Sequence, residues 1–253
     1  MNLLPIVDVF ETPYEIWTYR NATQDESIQH LRDYGNCIFQ VPDKLVKIIS
    51  NAYEAAAYMA LVGADNALEN HINNALNSSS NFKIWRQNMP SRTPGQLTNY
   101  QRKHIINCSI YQVIDEIDCV LSDGQFLFHG GCWMGENSLG AEYITSSPLS
   151  TSFCPQVALR NAEWGGKAYD AGVIDLLVLK VTQPYTRVFS YKIKGTDKGN
   201  EKEVLFSSGA KLKLIESKTI RYDYDYKVGK VFSDSVVCHE KFVCINVKLV
   251  EIS

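Results

Sequence analysis

Residues 126–132 read Phe126-Leu-Phe-His-Gly-Gly-Cys132, a short apolar run that ends in a histidine and two glycines. The apolar residues indicate a buried strand, and glycines after a polar side chain at its end are typical of a ligand site, because glycine lets backbone approach a ligand closely. Two later stretches, Leu149-Ser-Thr-Ser-Phe153 and Glu201-Lys-Glu-Val-Leu-Phe206, make chemical sense if they fold back against this one. We therefore expect the chain to be organised around residues 126–132.

The composition is that of an ordinary globular protein, with 253 residues, 45% of them hydrophobic, 21% charged and a formal net charge of −3. The charges form no basic stripe, so the charge pattern gives no support to nucleic-acid binding. No apolar run approaches the roughly 18 residues of a membrane-spanning helix, and the N-terminus does not resemble a secretory signal. We expect a soluble, cytoplasmic protein without a membrane partner.

Cysteine spacing gives no sign of a disulfide framework or of a metal site. The seven cysteines include no CxxC pair, and their odd number argues against complete disulfide pairing. The adjacent pair Cys238-His239 has no partner pair at the spacing that zinc requires. We expect reduced cysteines and no bound metal.

Helical periodicity dominates the first half of the chain. Apolar residues recur at three- and four-residue steps from Pro42 to Gly63 and again from Leu97 to Leu121, which predicts a helix in each segment. Between them, Met89-Pro-Ser-Arg-Thr-Pro-Gly95 contains two prolines and a glycine and cannot lie inside a helix. This stretch predicts a boundary between a helical region, residues 1–95, and a second domain, residues 96–253.

After Gly124 the pattern changes to strands. Short runs rich in Val, Ile, Leu and aromatic residues are separated by Gly, Pro, Asn and Asp. The predicted strands are residues 126–128, 173–181, 186–191, 204–206, 211–215, 219–226 and 242–250. Helices followed by strands indicate an α+β protein rather than a repeated βαβ unit.

Two stretches supply the polar side chains of a candidate site. Ser150, Thr151 and Ser152 place hydroxyls on a predicted strand, where they can orient a carboxylate or a ligand. Glu203 lies where a polar loop meets an apolar strand, and Glu201 would point to the same side if the chain between them is extended. Two such carboxylates can divide labour, one stabilising a cationic intermediate and the other orienting or deprotonating a nucleophile.

The order of these motifs resembles bacterial mono-ADP-ribosyltransferases of the Arg-Ser-Glu class. These proteins carry an aromatic-x-Gly motif at a strand end, Ser-Thr-Ser on a later strand, and Glu-x-Glu at a loop-to-strand junction. The stretch Phe206-Ser-Ser-Gly-Ala-Lys-Leu212 also resembles the family's continuation after the second glutamate, and the resemblance covers roughly residues 97 to 250. It implies a split β-sandwich that binds NAD as substrate in a central cleft and releases nicotinamide.

The resemblance also implies roles for individual residues. Glu203 would stabilise an oxocarbenium-like transition state as an anion beside developing positive charge, and Ser150 would position Glu203 and support the ribose. Glu201 would engage the acceptor, and the loop Tyr191–Asn200 would recognise the target. The residues expected to contact NAD are His129, Gly130, Thr151, Ser152, Arg102 and Arg160.

One residue departs from the Arg-Ser-Glu pattern. His129 stands where the class carries arginine, and is closer to the histidine of the diphtheria-toxin and poly-ADP-ribose polymerase class. Arginine offers a charged, bidentate fork to phosphates, whereas neutral histidine offers one donor and one acceptor, which suit a ribose hydroxyl or the nicotinamide amide. Phosphate binding would then fall to another residue, such as Arg102 or Arg160, or be weaker, and the identity of the acceptor stays open.

Several functions agree with this pattern. The leading hypothesis is a toxin or effector that transfers ADP-ribose from NAD to a macromolecule, with protein arginine as the first choice of acceptor because of Glu201. The alternatives are transfer to a nucleic-acid base, as in the toxin of a toxin–antitoxin or phage-defence system, and NAD hydrolysis by water. A non-catalytic NAD-binding or protein-interaction module that has kept the fold is a further possibility, although the presence of Glu203 favours an enzyme. The sequence identifies neither the target nor an antitoxin or chaperone that such a protein could bind.

Overall fold

A computed structural model describes residues 2–103, 108–192, 202–232 and 237–253. The chain divides into two compact units, one comprising Met1–Val9 with Ala52–Ser253 and the other Phe10–Asn51. The helices are α1 (Gln24–Tyr34), α2 (Ala52–Val62), α3 (Asn66–Ser78), α4 (Ser80–Asn88), α5 (Gly95–Lys103), α6 (Cys108–Ile117), α7 (Pro155–Glu163) and α8 (Lys167–Ala171). The strands are β1 (Asn2–Leu4), β2 (Tyr14–Asn21), β3 (Gln40–Ile49), β4 (Cys119–Leu121), β5 (Phe126–Gly131), β6 (Glu142–Ile144), β7 (Leu149–Ser152), β8 (Val173–Val181), β9 (Val188–Ser190), β10 (Glu203–Phe206), β11 (Lys211–Arg221), β12 (Lys227–Val231), β13 (Cys238–Phe242) and β14 (Cys244–Ile252).

The smaller unit is a pair of antiparallel strands connected through a helix. Strands β2 and β3 pair antiparallel from Tyr14↔Ile49 to Asn21↔Gln40. Helix α1 begins at a capping box, in which the Thr23 hydroxyl accepts from the Glu26 amide and the Glu26 carboxylate accepts from the Thr23 amide. It ends at Gly35, whose left-handed backbone donates back to Leu31.

The prediction of a continuous helix from Pro42 to Gly63 is wrong over its first part. Residues 42–49 belong to strand β3, and helix α2 begins only at Ala52. A short apolar run rich in β-branched residues fits a strand as well as a helix, and here pairing with β2 decides between the two. The first 95 residues therefore contain strands as well as helices.

The larger unit is built on a mixed sheet in the order β6-β11-β14-β8-β5-β7-β10-β9, as far as the chain is described. Strands β14 and β8 are parallel, and the other neighbours are antiparallel. Strand β8 lies at the centre and is buried along most of its length, which explains its almost continuous run of Val, Ile and Leu. The α+β class is confirmed in this form, with helices packed against one large sheet.

The strand pairing of the sheet is incomplete between β5 and β7. Strand β5 pairs with β8 over its whole length, from Phe126↔Lys180 to Gly131↔Asp175. On its other side it pairs with β7 at a single position, Phe128↔Ser152. The two strands thus part beyond this pair, and the end of β5 that carries His129 borders an opening in the sheet. The split β-sandwich itself and the domain boundary at residues 95/96 stay predictions.

Two further segments differ from the sequence predictions. The helix predicted to continue to Leu121 ends at Ile117, because Cys119–Leu121 form the buried strand β4, which pairs in parallel with β1 near the start of the chain. The strand predicted over 219–226 ends at Arg221, and a turn follows in which Asp225 donates its amide to the Tyr222 carbonyl. The helix ends early because β4 pairs with a strand distant in sequence, and the strand ends early because a local turn follows it. In the part of the chain described, no helix combines the length and apolar character that a membrane span requires.

Gly130 is required by packing inside the protein. A Cβ built on this residue would lie 1.8 Å from the carbonyl oxygen of Ala158, which belongs to helix α7. Since the obstructing atom is backbone, a side chain at position 130 would force the whole helix away from β5. The structure thus shows a close approach of Gly130 to helix α7, and the approach of a ligand to this glycine stays a prediction.

Gly130→Ala should therefore destabilise the protein. Overpacking of this kind costs about 1–3 kcal/mol, and each kcal/mol lowers Tm by about 2–4 °C in a chain of this size. Thermal unfolding should be compared with that of Gly95→Ala, where a Cβ meets nothing within 4 Å at the start of α5. Equal Tm values for the two variants would contradict the close packing of α7 on β5.

Candidate active site

The register of β7 and β10 brings Ser150 and Glu203 together. Ser152 lies opposite Glu203 and Ser150 opposite Leu205, so that Ser150 and Glu203 are diagonal neighbours on one face of the sheet. The Ser150 hydroxyl donates a hydrogen bond of 2.5 Å to Oε1 of Glu203. This length is typical of a hydroxyl bonded to an ionised carboxylate. The serine thus fixes the orientation of the carboxyl group of Glu203, a residue that is only 4% exposed.

Glu203 is the first residue of β10, and the chain before it is not extended. Lys202 has a φ of 53°, in the left-handed region, whereas β10 begins at Glu203. The expectation of an extended chain from Glu201 to Glu203 is therefore wrong at Lys202. Glu201 itself and most of the loop Tyr191–Asn200 lie outside the described residues, so their roles stay predictions.

His129 connects β5 to β7 through its side chain. Its Nδ1 lies 2.7 Å from the Ser150 carbonyl oxygen, and since a carbonyl only accepts, Nδ1 carries the proton and Nε2 is left as an acceptor. Burial lowers the pKa of His129, the hydrogen bond to Ser150 opposes this shift, and the charge of Lys167 adds to it. The ring is consequently neutral at neutral pH. The His129 ring therefore contacts Ser150, the residue whose hydroxyl bonds to Glu203.

The other two hydroxyls of the Ser-Thr-Ser motif bond to backbone. Thr151 Oγ1 donates to the Val204 carbonyl at 2.6 Å, which ties β7 to β10. Ser152 Oγ accepts from the Cys154 amide at 3.0 Å, next to the start of α7. Both side chains are 3% exposed. Within the motif, the Ser150 hydroxyl bonds to the candidate catalytic residue Glu203.

A cleft of about 380 Å³ opens beside His129 and Ser150, a volume suited to a small ligand. Its walls are the end of β5, the start of β7, strand β6 and the helices α7 and α8. The residues that line it include His129, Gly131, Tyr143, Leu149, Ser150 and Lys167. Lys167 brings a positive charge into the cleft, and a lysine is a common ligand for phosphate. This position was not predictable from the sequence, because one lysine after Gly165-Gly166 looks like any surface residue.

The wall that follows β5 is held by a buried ion pair. Asp175 and Lys248 are each 3% exposed, and their charged groups lie 3.2 Å apart. The Asp175 carboxylate also accepts from the Trp133 amide at 2.7 Å, and Lys248 donates to the Asn137 side chain at 2.7 Å. The loop that carries Cys132 and Met134 into the cleft is therefore anchored to β8 and β14.

Tyr100 is a further residue near Glu203. Burial raises its pKa, and the charge of Glu203 raises it further, which means that the phenol lies within electrostatic reach of the carboxylate. In the sequence Tyr100 reads as one residue in the apolar pattern of a helix. Only the packing of α5 reveals its position.

Of the two arginines expected to bind phosphate, the structure describes the side chain of Arg160, which does not line this cleft. The Arg160 guanidinium lies 3.6 Å from the Glu69 carboxylate, and the residue lines a separate depression with Trp164 and Lys230. The side chain of Arg102 lies outside the described part of the chain. Phosphate binding by either arginine stays a prediction, and the structure offers Lys167 as another candidate.

No family model and no curated protein matches this chain. Among solved structures it is similar to bacterial ADP-ribosyltransferase toxins. The Vis toxin from Vibrio splendidus, an ADP-ribosyltransferase, is 13% identical with a TM-score of 0.36, covering 92% of this chain and 87% of that chain. The enzymatic component C2-I of the C2 toxin from Clostridium botulinum is 10% identical with a TM-score of 0.36, covering 67% and 45%. Plx2a, an ADP-ribosyltransferase toxin from Paenibacillus larvae, is 10% identical with a TM-score of 0.38, covering 68% and 90%. Because these TM-scores lie below 0.5, the function proposed below rests on the geometry of the site.

The lowered pKa of His129 predicts a specific dependence of stability on pH. The folded state disfavours the protonated ring, so that the unfolded chain takes up the proton first as the pH falls. The contribution of His129 to stability should be complete above its ordinary pKa of 6.5 and decrease as the pH falls below it, by at most about 1.4 kcal/mol per pH unit. It should level off below the folded-state pKa.

Thermal unfolding of the wild type and of His129→Gln between pH 8 and pH 5 measures this contribution. Other titrating groups are common to both proteins, so the difference between the two Tm curves isolates His129. We expect the wild type to lose stability relative to the variant below about pH 6.5. A difference that is constant over the whole range would show that His129 is not protected from protonation.

Proposed function

We propose that this chain is a mono-ADP-ribosyltransferase, which cleaves NAD and transfers ADP-ribose to a macromolecule. The observation that carries the proposal is the hydrogen bond from Ser150 to the buried carboxylate of Glu203. Ser150 lines the cleft, and a carboxylate fixed by such a residue is suited to stabilising positive charge that develops on a bound substrate. The His129 ring, held by Ser150 and kept neutral by burial, supplies hydrogen-bonding groups without adding positive charge.

The proposed reaction breaks the bond between C1′ of the nicotinamide ribose and the nicotinamide ring nitrogen. The electron pair of this bond leaves with nicotinamide, and positive charge develops on the ribose. Glu203 stabilises that charge, and Ser150 holds Glu203 in place. A lone pair of the acceptor then forms the new bond to C1′, and the acceptor's proton passes to Glu201 or to solvent.

Binding of NAD is assigned to the cleft beside Ser150. The Nε2 acceptor of His129 suits a ribose hydroxyl or the amide of nicotinamide. Lys167 is the cation in the cleft wall, and we assign it to the phosphates, where a lysine acts as a point charge. Tyr143 adds an aromatic surface to the same cleft.

Protein arginine is the first choice of acceptor, because Glu201 precedes Glu203 in the Glu-x-Glu arrangement. A nucleic-acid base is the alternative. It is favoured by Tyr222 and Tyr224, whose rings stack at 5.9 Å while their side chains are 54% and 70% exposed. Exposed aromatic rings can stack on bases. Water as acceptor would make the protein an NAD glycohydrolase.

Transfer of label from tagged NAD into a cell lysate tests the proposal. We expect the wild type to transfer label and Glu203→Gln to lose transfer and NAD cleavage by at least about 100-fold, as loss of an electrostatic catalytic group does. Glu142→Gln is the matched control, because this exposed carboxylate pairs with Lys211 at the sheet edge. Absence of both label and NAD consumption in the wild type would contradict the proposal.

Digestion of the labelled lysate distinguishes the acceptors. Protease-sensitive label supports a protein target, nuclease-sensitive label supports a nucleic-acid base, and NAD consumption without label indicates hydrolysis. Glu201→Gln should abolish transfer and leave NAD hydrolysis intact, because its proposed role concerns only the acceptor. If this variant keeps both activities, Glu201 has no part in acceptor recognition.

A further inference from the structure

Lys202 is buried immediately before Glu203. Its side chain is 1% exposed, and its backbone has a left-handed φ of 53°. A non-glycine residue in this conformation is under strain unless the surrounding structure holds it there, and such residues cluster at functional sites. A buried lysine side chain also requires a partner of opposite charge.

The partner of Lys202 is Glu69 on helix α3. Lys202 Nζ lies 2.8 Å from Glu69 Oε1. The second oxygen of Glu69 accepts from Gln156 Nε2 at 2.9 Å and lies 3.6 Å from the Arg160 guanidinium. Because both carboxylate oxygens are engaged, Glu69 cannot turn away from Lys202 without breaking contacts on its other side.

Gln156 extends this cluster to the start of α3. It is fully buried on α7, and its side-chain oxygen accepts a short hydrogen bond from the Asp65 amide at the N-cap of α3. The ends of α3 and α7 are thereby fixed relative to each other, and Glu69 is presented to Lys202 from a rigid base.

The backbone that leads from Lys202 into β10 is also hydrogen-bonded. The Lys202 carbonyl accepts from the Phe153 amide at 3.4 Å, and the Glu203 carbonyl accepts from the Tyr191 amide at 3.1 Å. Any rotation at Lys202 would therefore redirect the first residue of β10. That residue is the carboxylate held by Ser150.

We propose that the Glu69–Lys202 ion pair is a positioning device for Glu203. By holding the Lys202 side chain against α3, the pair keeps residue 202 in its left-handed conformation and so directs the Glu203 carboxylate towards Ser150. This inference rests on the proposed NAD-cleaving function. It also gives residues 1–95 a part in catalysis, since Glu69 belongs to the region whose sequence gave no indication of a role.

Steady-state NAD cleavage by purified full-length protein tests the inference through kcat and KM. Lys202→Met keeps the length of the side chain and removes its charge, and Glu69→Gln keeps the shape of the partner. We expect each to lower kcat by about tenfold or more with KM for NAD changed by less than about twofold, because a displacement of a catalytic group by about 1 Å can cost up to about 100-fold in rate. Lys227→Met is the matched control, since Lys227 pairs with Glu240 on the exposed hairpin β12–β13.

A double variant separates positioning from stability. Lys202→Met with Glu69→Met replaces the ion pair between buried Lys202 and partly exposed Glu69 by apolar side chains, and replacing buried ion pairs in this way commonly restores stability. We expect its Tm to recover relative to the single variants while kcat stays low. Recovery of kcat together with Tm would reduce the pair to a structural role and overturn the inference.

Lys202→Gly separates the ion pair from the backbone. Glycine adopts a left-handed φ without strain but cannot reach Glu69. We expect kcat to remain at least about tenfold below the wild type, because the anchor is lost. Wild-type kcat in Lys202→Gly, or in both Lys202→Met and Glu69→Gln, would overturn the positioning role and leave the proposed function standing. A wild type that releases no nicotinamide would overturn both.

Discussion

The candidate site depends on one constraint, the position of β7 between two strands that it meets very differently. With β10 it forms a full antiparallel pair, whereas it meets β5 at one residue pair. The full pairing sets Ser150 beside Glu203, and the parting of β5 from β7 leaves the space in which His129 faces the Ser150 backbone. Backbone hydrogen bonds that a regular sheet would make at this point are replaced by a histidine side chain and a cleft. A ligand site results because the sheet is incomplete there.

Around this opening, charged side chains with little exposure are paired with side chains of opposite charge. Asp175 with Lys248 fixes the wall that follows β5, and Glu69 with Lys202 fixes the chain that enters β10. Ion pairs of this kind contribute little net stability compared with apolar packing, because desolvation offsets their attraction. These ion pairs instead fix the orientation of side chains, because a carboxylate whose oxygens are all engaged has few alternative positions. The left-handed residue Lys202 shows where the fold gives up some stability next to Glu203.

The sequence allowed a good part of this arrangement to be predicted. Strand β8 was predicted with its observed bounds, Val173–Val181, because a central buried strand carries a dense apolar run. The approach of Ser150 to Glu203 was implied by the resemblance to mono-ADP-ribosyltransferases, and the hydrogen bond between them agrees with it. The errors arose where a distant partner decides the local structure, as for residues 42–49 in β3. Neither the Glu69–Lys202 pair, whose members are 133 residues apart, nor the place of Lys167 in the cleft has a local signal that reading along the chain could detect.

The central claim is that the carboxylate held by Ser150 faces the nicotinamide ribose of NAD. The most direct test is a crystal structure of the protein with a non-cleavable NAD analogue. The account predicts the nicotinamide ribose within hydrogen-bonding distance of Glu203, about 2.5–3.2 Å, with the phosphates next to Lys167 and the His129 ring against the nicotinamide end. An analogue bound elsewhere on the molecule, or bound in the cleft with its ribose directed away from Glu203, would contradict it.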